Sequence, residues 1–269
     1  MTRITAWRRH PLARYAVLIL ALALVGMAYA AFVQAGKPAD AALAAGKVDD
    51  VAEGKSLFVA HCASCHGTNA EGTGTAPTLI GVGAAAVDFQ MSTGRMPAAN
   101  PGPQAPRKPQ PEWVTPEKIK QISAYVQSLG GGPQVPGAEQ VDPKLGDAGK
   151  GGELFRANCI QCHNWAGAGG ALTQGKHAPD LNEATPTQIY EAMVTGPQAM
   201  PVFNDTTITP EEKRSMIAYI TQVRAQKDPG GFALGRIGPV TEGLVAWIVG
   251  LSVLALAAIW ITAKKRQKS

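Results

Sequence analysis

The chain has 269 residues, 17% of them charged, and a formal net charge of +5 with a pI near 9.0. A basic balance of this kind ordinarily suggests an acidic partner such as nucleic acid. Eight of the 25 Lys and Arg residues, however, lie in the first 14 and the last six positions, where no acidic residue occurs. The middle of the chain contains the other 17 together with all 20 Asp and Glu residues, so its formal net charge is about −3. This distribution excludes a nucleic-acid-binding surface and points to membrane topology.

An uncharged run follows the first basic group. It extends from Tyr15 to Val33, which is 19 residues, and is longer than the ~7–15-residue core of a secretory signal. Small residues at Ala28, Ala30 and Ala31 would nevertheless suit signal cleavage. We predict that residues 1–36 form a basic flank and a transmembrane helix, with a cleaved signal as the alternative. Either outcome places the following segment outside the cytoplasm.

All four cysteines of the chain occur in two matching stretches, HCASCHG at 61–67 and NCIQCHN at 158–164. In each stretch a C-x-x-C pair is followed directly by histidine. The residues are Cys62, Cys65 and His66 in the first and Cys159, Cys162 and His163 in the second. C-x-x-C-H is the attachment motif of c-type haem, in which both thiols bond the porphyrin and the histidine binds iron. Two copies that use every cysteine predict two covalently bound haem c groups.

Three other uses of the thiols compete with this interpretation. Disulfides within the C-x-x-C pairs would close loops too short to stabilise the protein much. A thioredoxin-like dithiol needs a βαβ context, and no Val/Ile-rich strand pattern lies near either motif. A single Cys₄ zinc site would have to join Cys62 and Cys159, which are 97 residues apart, and would leave both histidines without a role.

The two motifs belong to an internal repeat. EGKSLFVAHCASCHG (53–67) aligns with KGGELFRANCIQCHN (150–164), and TPEKIKQISAYVQSL (115–129) aligns with TPEEKRSMIAYITQV (209–223). Between these landmarks TAPTL matches HAPDL and MSTGRMP matches MVTGPQAMP, in the same order. Recurrence in a constant order indicates duplicated units. We place the units at 48–132 and 147–228, joined by a Gly/Pro linker at 133–146.

Each unit is predicted to begin and end with a helix. The closing helix starts at Thr-Pro-Glu, where Thr can cap, Pro fits the first turn and Glu favours the positive end. Apolar residues recur on the closing helices at three- and four-residue steps, at Ile119, Ile122, Val126, Met216, Ile220 and Val223. With no alternating strand pattern in either unit, the fold class is mainly α. Residues 97–111, with six prolines in fifteen residues, and the Gly/Pro linker are both predicted to form extended surface loops.

A second uncharged run lies near the end of the chain. Leu244 to Ala263 is 20 residues, which is long enough to cross a bilayer. Trp247 and Trp260 lie near its ends, and a Lys/Arg-rich tail marks the cytoplasmic side. We predict a transmembrane helix at 240–263 and a cytoplasmic tail at 264–269. Both chain ends would then be cytoplasmic, with the two haem units on the outer face of the cell membrane.

Each unit resembles a class I cytochrome c domain. The resemblance implies a small helical shell around one haem, with a glycine–aromatic contact where the first and last helices cross. The residues at this contact would be Gly54, Phe58 and Tyr125 in the first unit and Gly151, Phe155 and Tyr219 in the second. It also implies that His66 and His163 bind iron. The carbonyl groups of Pro77 and Pro179 would accept a hydrogen bond from these imidazoles and orient them.

The same resemblance implies a methionine on the opposite side of each iron. Met96 and Met200 are the candidates because each precedes a proline, as in the family. A thioether opposite imidazole raises the reduction potential and suits electron transfer. Met91 and Met193 also correspond in the repeat, but they lie at the end of a predicted helix and suit the core. His177 is a further rival in the second unit.

The whole chain resembles the dihaem cytochrome c subunit of actinobacterial cytochrome bcc (menaquinol–cytochrome c reductase) complexes. Tandem units, a C-terminal anchor with a basic tail, TGRMP and GPQAMPVFND carry this resemblance. It implies an electron-transfer subunit of a proton-translocating enzyme that receives electrons from cytochrome b through the Rieske protein and delivers them to a haem–copper oxidase. Alternatives are a dihaem subunit of an oxidase, a carrier linked to a dehydrogenase, and a dihaem peroxidase, which needs an open iron site.

Overall fold

The computed structural model describes residues 13–35, 40–100, 102, 104–226, 236 and 239–266. Within these ranges the chain is mainly α-helical, as predicted, with one short two-stranded sheet. The basic flank predicted at 1–12 and the side chains of the tail predicted at 264–269 lie outside the described residues.

The helices follow the order of the predicted units. They are α1 (Ala13–Ala35), α2 (Asp40–His61), α3 (Ala63–His66), α4 (Ala84–Ser92), α5 (Pro116–Ser128), α6 (Ala138–Val141), α7 (Ala148–Asn158), α8 (Ile160–His163), α9 (Pro186–Thr195), α10 (Pro210–Ala225) and α11 (Pro239–Arg266). The strands β1 (Gly170–Ala171) and β2 (His177–Ala178) pair antiparallel. Two residues per strand are too few for an alternating pattern of apolar and polar residues. This sheet could therefore not be predicted from the sequence.

The closing helices α5 and α10 begin where the Thr-Pro-Glu motif predicts. The hydroxyl of Thr115 accepts a hydrogen bond from the amide of Lys118, and that of Thr209 accepts one from the amide of Glu212. In α10 the Glu212 carboxylate also accepts from the Thr209 amide and completes a capping box. The two caps are confirmed.

The first and last helices of each unit cross at a glycine. A Cβ atom added to Gly54 of α2 would lie 2.0 Å from the carbonyl oxygen of Gln121 in α5, and one added to Gly151 of α7 would lie 1.9 Å from that of Ser215 in α10. No side chain fits such a gap, so these glycines permit backbone contact between the helices.

Aromatic rings pack beside each crossing. The ring centroids of Phe58 and Tyr125 are 5.3 Å apart and those of Phe155 and Tyr219 are 5.4 Å apart, both tilted. The predicted glycine–aromatic contact is therefore confirmed in the first unit, where a Cβ on Gly54 would lie 3.0 Å from the Tyr125 Cβ. In the second unit it is Gly152, next to Gly151, that faces the Tyr219 ring.

Each unit has its own hydrophobic core. Phe58, Val87, Met91, Ile119, Ile122, Tyr125 and Val126 belong to the first, and Phe155, Ile189, Tyr190, Met193, Ile208, Met216, Ile217 and Ile220 to the second. The apolar stripes predicted on α5 and α10 face these cores. Apolar burial inside two separate shells makes each unit a small domain in its own right.

The units contact each other through α4 and α9. The Gln188 side chain of α9 donates to the Ser92 hydroxyl of α4 at 3.1 Å. Glu191 of α9 is fully buried, and burial, with Asp88 of α4 adding to it, raises the pKa of its carboxyl to about 10. Glu191 is therefore protonated at neutral pH, which avoids a buried charge at this contact.

The linker differs from the extended loop that its composition predicts. It contains α6 and a 3₁₀ turn, Pro143–Leu145, and both pack against α10. Gln140 donates to the Tyr190 hydroxyl at 3.3 Å, and Arg214 donates to the Glu139 carbonyl at 3.1 Å. These contacts bind the linker to the second unit.

One helix in the described part of the chain is long and apolar enough to span a membrane. Its apolar segment, Thr241–Ala263, has 23 residues, a mean hydropathy of 2.5 and no buried portion. Trp247 and Trp260 are exposed near its ends. In α1 the stretch with described side chains, Tyr15–Met27, is apolar but shorter.

The helix crossing generates a stability prediction. Gly54→Ala should lower the free energy of unfolding by about 1–3 kcal/mol, because the new methyl group would force α2 and α5 apart. Alanine's better helix propensity works in the opposite direction. The measurement is chemical unfolding of the full-length protein in detergent. Gly74→Ala is the control, since a Cβ there meets nothing within 4 Å; equal effects of both changes would contradict the account.

Candidate haem sites

The C-x-x-C-H motif occupies the same local structure in both units. The amides of Cys65 and His66 donate to the Cys62 carbonyl at 3.1 and 3.0 Å, and the corresponding distances to the Cys159 carbonyl are 3.1 and 2.9 Å. This single helical turn brings both thiols and the imidazole together. All four thiols are free; Cys62 and Cys159 are half-buried, and Cys65 and Cys162 are exposed.

Burial makes two of the four thiols harder to deprotonate than a free cysteine. Burial, with Cys65 adding to it, raises the pKa of the Cys62 thiol to about 11; burial, with Cys162 adding to it, raises that of Cys159 to about 12. Reactive dithiols have a lowered pKa. Among the described residues, no three His, Cys, Asp or Glu side chains come close enough to hold a metal ion, so the four thiols do not form a joint zinc site there.

Both imidazoles are buried, and each contacts a proline carbonyl. The Nδ1 atom of His66 lies 2.9 Å from the carbonyl oxygen of Pro77, and that of His163 lies 3.1 Å from the carbonyl oxygen of Pro179. A carbonyl only accepts, so Nδ1 carries the proton and Nε2 is left with the lone pair that can bind iron. Burial lowers the pKa of His163, although its bond to Pro179 acts in the opposite direction. A neutral imidazole beside two thiols fits haem c.

Glycines bring each proline segment close to its histidine. The amide of Gly72 donates to the His66 carbonyl at 2.7 Å, and that of Gly169 donates to the His163 carbonyl at 3.0 Å. Both glycines have positive φ. A Cβ would lie 2.6 Å from the Thr78 amide nitrogen in the first case and 2.4 Å from the Ala178 carbonyl oxygen in the second. The chain can therefore turn back along the motif only with glycine at these positions.

The four methionines considered as iron ligands occupy two kinds of position. Met91 and Met193 lie inside the cores and are 4% and 3% exposed. Met96 and Met200 are half-buried at the margins of the same cores. The rival His177 is exposed in β2. The residues at the core margins are those that precede proline.

A buried lysine supports the loop that follows Met200. Lys213 of α10 is fully buried, and its ammonium group donates to the Ile208 carbonyl at 2.6 Å and to Asp205 at 2.7 Å. In the same loop the Phe203 amide donates to the Met193 carbonyl at 2.7 Å. The burial of Lys213 could not be predicted from its residue type, because a lysine in a helix is normally a surface residue. The internal repeat could have indicated this burial, since Lys213 aligns with Ile119, a core residue of the first unit.

Comparison with protein families divides the chain at the same place as the repeat. Residues 51–130 match the family described as cytochrome c, and residues 146–220 match that described as cytochrome C oxidase, cbb3-type, subunit III. A cbb3-type cytochrome c oxidase subunit of Sinorhizobium medicae is 32% identical, over 50% of this chain and 45% of its own length.

Longer similarity is found to proteins named cytochrome bc1 complex cytochrome c subunit. The protein of Mycobacterium tuberculosis is 48% identical over 218 residues, which is 78% of this chain and 77% of that protein. That of Corynebacterium efficiens is 42% identical over 88% of this chain and 86% of its own length. That of Corynebacterium diphtheriae is 41% identical over 94% and 95%. The similarity therefore extends through both units and beyond them.

The buried lysine generates a second stability prediction. Lys213→Met should destabilise the second unit by about 1–3 kcal/mol, because the Ile208 carbonyl loses its donor in a buried place. Asp205 is 61% exposed and stays hydrated. Chemical unfolding of the full-length protein measures the effect, with Lys118→Met on the corresponding helix of the first unit as control. A loss no larger than that of the control would mean that Lys213 does not support the loop.

Proposed function

This chain is an electron carrier of a respiratory chain, since it belongs to the family of cytochrome c subunits of cytochrome bc1 complexes, and we propose that it carries electrons through two covalently bound haem c groups. Membership of such a complex implies cytochrome b and a Rieske protein as its partners. The observation that carries the proposal is the same histidine–proline geometry in two contacting units. The imidazole Nδ1 lies 2.9 Å from a proline carbonyl oxygen in the first unit and 3.1 Å in the second.

The proposed units are residues 48–132 and 147–228, with 133–146 as linker. In each unit the two cysteines would hold the porphyrin and the histidine would bind iron through Nε2. The residues for the first haem are Cys62, Cys65, His66 and Met96, and those for the second are Cys159, Cys162, His163 and Met200. Pro77 and Pro179 would keep the imidazoles in the ligating tautomer.

The choice of Met96 and Met200 as sixth ligands is supported by their surroundings. Met91 and Met193 are buried inside the cores, where they pack with other apolar residues. His177 has its backbone engaged in β2 and an exposed side chain. Each proposed methionine lies at the margin of its core, where a haem could meet it.

Haem supplies one-electron storage at its iron. The residues of the chain determine how that storage is used, because a thioether opposite a neutral imidazole favours the reduced state. The apolar core around each site keeps water away and disfavours the additional positive charge of oxidised iron. Protein ligands on both sides leave no position for oxygen or peroxide, so each unit would pass electrons without other bond chemistry.

The two units would act in series, because α4 and α9 hold them in direct contact. One unit would accept electrons from the Rieske protein, which draws them from menaquinol at cytochrome b. The other would deliver them to a haem–copper oxidase in the same assembly. A soluble cytochrome c would then be unnecessary, and proton translocation would belong to the partner subunits.

The C-terminal apolar helix anchors the chain in the membrane. We further propose that the first apolar run spans it as well, which would make the protein multi-pass. The four basic residues at each end of the chain favour a cytoplasmic position for both termini. The haem units would lie on the outer face of the cell membrane.

A dihaem subunit of a terminal oxidase is the second candidate. The match of residues 146–220 to the cbb3-type subunit III family favours it. That similarity covers half of the chain at most, whereas the bc1 relatives cover 78% to 94%. A carrier linked to a dehydrogenase would differ in its partners, and a peroxidase would require one iron without a methionine ligand.

The ligand assignment predicts a potential change in a single haem. Met200→His should lower the potential of the second haem while leaving it attached, because axial ligands adjust haem potentials over a range of ~0.8 V. A redox titration of the purified protein measures this, with the core substitution Met193→Leu as control. An unchanged second potential would mean that Met200 is not the ligand, and Met193 and His177 would be examined next.

The proposed topology predicts a pattern of protease protection. Tags at both chain ends should survive protease added to cells stripped of their wall, and residues of roughly 37 to 239 should be degraded, because the basic ends stay inside. A tag lost from the N-terminus together with a mature chain that starts near Ala31 would contradict the first span and show a cleaved signal.

Electron flow in the purified assembly tests the function itself. Menaquinol-driven oxygen uptake should proceed without added cytochrome c and should depend weakly on ionic strength, since its partners are already assembled and need no electrostatic steering. Replacing Cys159 and Cys162 with alanine should abolish it. Unimpaired uptake in that variant, or purification without cytochrome b, would favour the carrier linked to a dehydrogenase.

A further inference from the structure

The Pro-rich loop of the first unit, described at residues 97–100, 102 and 104–111, reaches across to the second unit. Gln104 makes two hydrogen bonds to one residue there: its Nε2 donates to the His177 carbonyl at 2.6 Å, and its Oε1 accepts from the His177 amide at 3.0 Å. One side chain thus occupies both backbone groups of His177, as a neighbouring strand would. The sequence assigns this loop no role beyond spacing.

The next residue of the loop contacts a different segment of the second unit. The carbonyl of Ala105 accepts from Nε2 of Gln198 at 3.0 Å. Gln198 has a positive φ of 59°, which is uncommon for a residue with a side chain. Its bond to the loop helps to hold this unfavourable backbone. Arg107 adds a weaker contact to the Glu183 carbonyl at 3.3 Å.

These two contacts lie beside opposite iron ligands of the second unit. His177 is two residues before Pro179, whose carbonyl orients His163. Gln198 is two residues before Met200. A haem held by His163 and Met200 would lie between the segments that carry them. Gln104 and Ala105 contact both of these segments, so the loop would cover the edge of the haem.

The loop is itself held firmly by the first unit. The Lys108 ammonium donates to the Pro97 carbonyl, next to Met96, at 2.6 Å, and the Gln110 amide donates to the Met91 carbonyl at 2.8 Å. The backbone of Lys108 also passes so close to Gly94 that a Cβ there would lie 1.8 Å from the Lys108 carbonyl oxygen. The described end of the loop is therefore attached to the first unit at Met91, Gly94 and Pro97.

We propose that the Pro-rich loop closes the haem crevice of the second unit and holds its histidine-side and methionine-side segments together, with Gln104 as the main positioning residue. This inference rests on the proposed function, because it takes His163 and Met200 as the ligands. The stability of the Met200–iron bond in one unit would then depend on a loop of the other. Breaking the contact would admit water and let the methionine segment move away from iron.

Imidazole binding to the oxidised second haem tests the inference. The experiment uses the full-length, haem-loaded protein in detergent with a Met96→His background, in which the first iron has two histidine ligands and resists added imidazole. Gln104→Ala removes both bonds to His177. The apparent affinity of the second haem for imidazole should rise about tenfold, since two lost hydrogen bonds favour the open form by about that factor. The potential of the second haem should fall.

Two further variants make the result specific. Gln198→Ala should act in the same direction, because it releases the methionine side of the crevice. Gln134→Ala is the matched control: it removes an exposed glutamine of the linker that makes no hydrogen bond within the described residues, and should leave imidazole affinity unchanged. Equal affinities in the parent, Gln104→Ala and Gln198→Ala proteins would overturn the inference.

The same experiment separates this inference from the function on which it rests. Loss of the second haem's methionine–iron absorption band when imidazole binds to the parent protein confirms the ligand pair. Absence of that band before imidazole is added would overturn the Met200 assignment and the inference with it. A band present in the parent and equally resistant to imidazole in Gln104→Ala would overturn the inference alone.

Discussion

The close crossing of the first and last helices is the constraint on which both units depend. At Gly54 and Gly151 a Cβ would lie 2.0 and 1.9 Å from a carbonyl oxygen of the partner helix, so the backbones themselves are in contact. This contact between the backbones fixes the position of the C-terminal ends of α2 and α7. Each C-x-x-C-H turn begins at one of these ends. The glycine thus positions the haem motif, although it lies two turns away from it and makes no contact with the ligands.

The position of each C-x-x-C-H turn determines where its histidine lies relative to the proline segment. Each motif is a single helical turn, and the chain behind it turns back through a positive-φ glycine to bring a proline carbonyl to the imidazole. In both units this fixes the imidazole tautomer, with the proton on Nδ1 and Nε2 directed away from the proline carbonyl. The second unit adds Lys213 under the methionine loop, where the first has Ile119 in its core. The histidine–proline segment is therefore alike in the two units, whereas the support of the methionine segment differs.

Features with a local cause could be predicted from the sequence. Each of these features depends on a motif within one or two helices: the threonine caps of α5 and α10, their apolar stripes and the two helix crossings. Because the chain contains an internal repeat, each motif occurs twice in the sequence. The contacts of Gln104 and the burial of Glu191 could not be predicted, because they arise only when the two units pack together. A polar residue in a Pro-rich segment has no periodicity that would mark its partner 73 residues away.

The intact mass of the denatured, acid-extracted polypeptide shows whether one chain carries two covalently bound haems. Denaturation releases any group held by coordination alone, so only thioether-bonded haem remains. We expect the mass of the chain plus two haem groups. When Cys62 and Cys65 are both replaced by alanine, we expect the mass of the chain plus one haem group. A mass of the bare polypeptide, or of the polypeptide with a single haem in the unaltered protein, would contradict it.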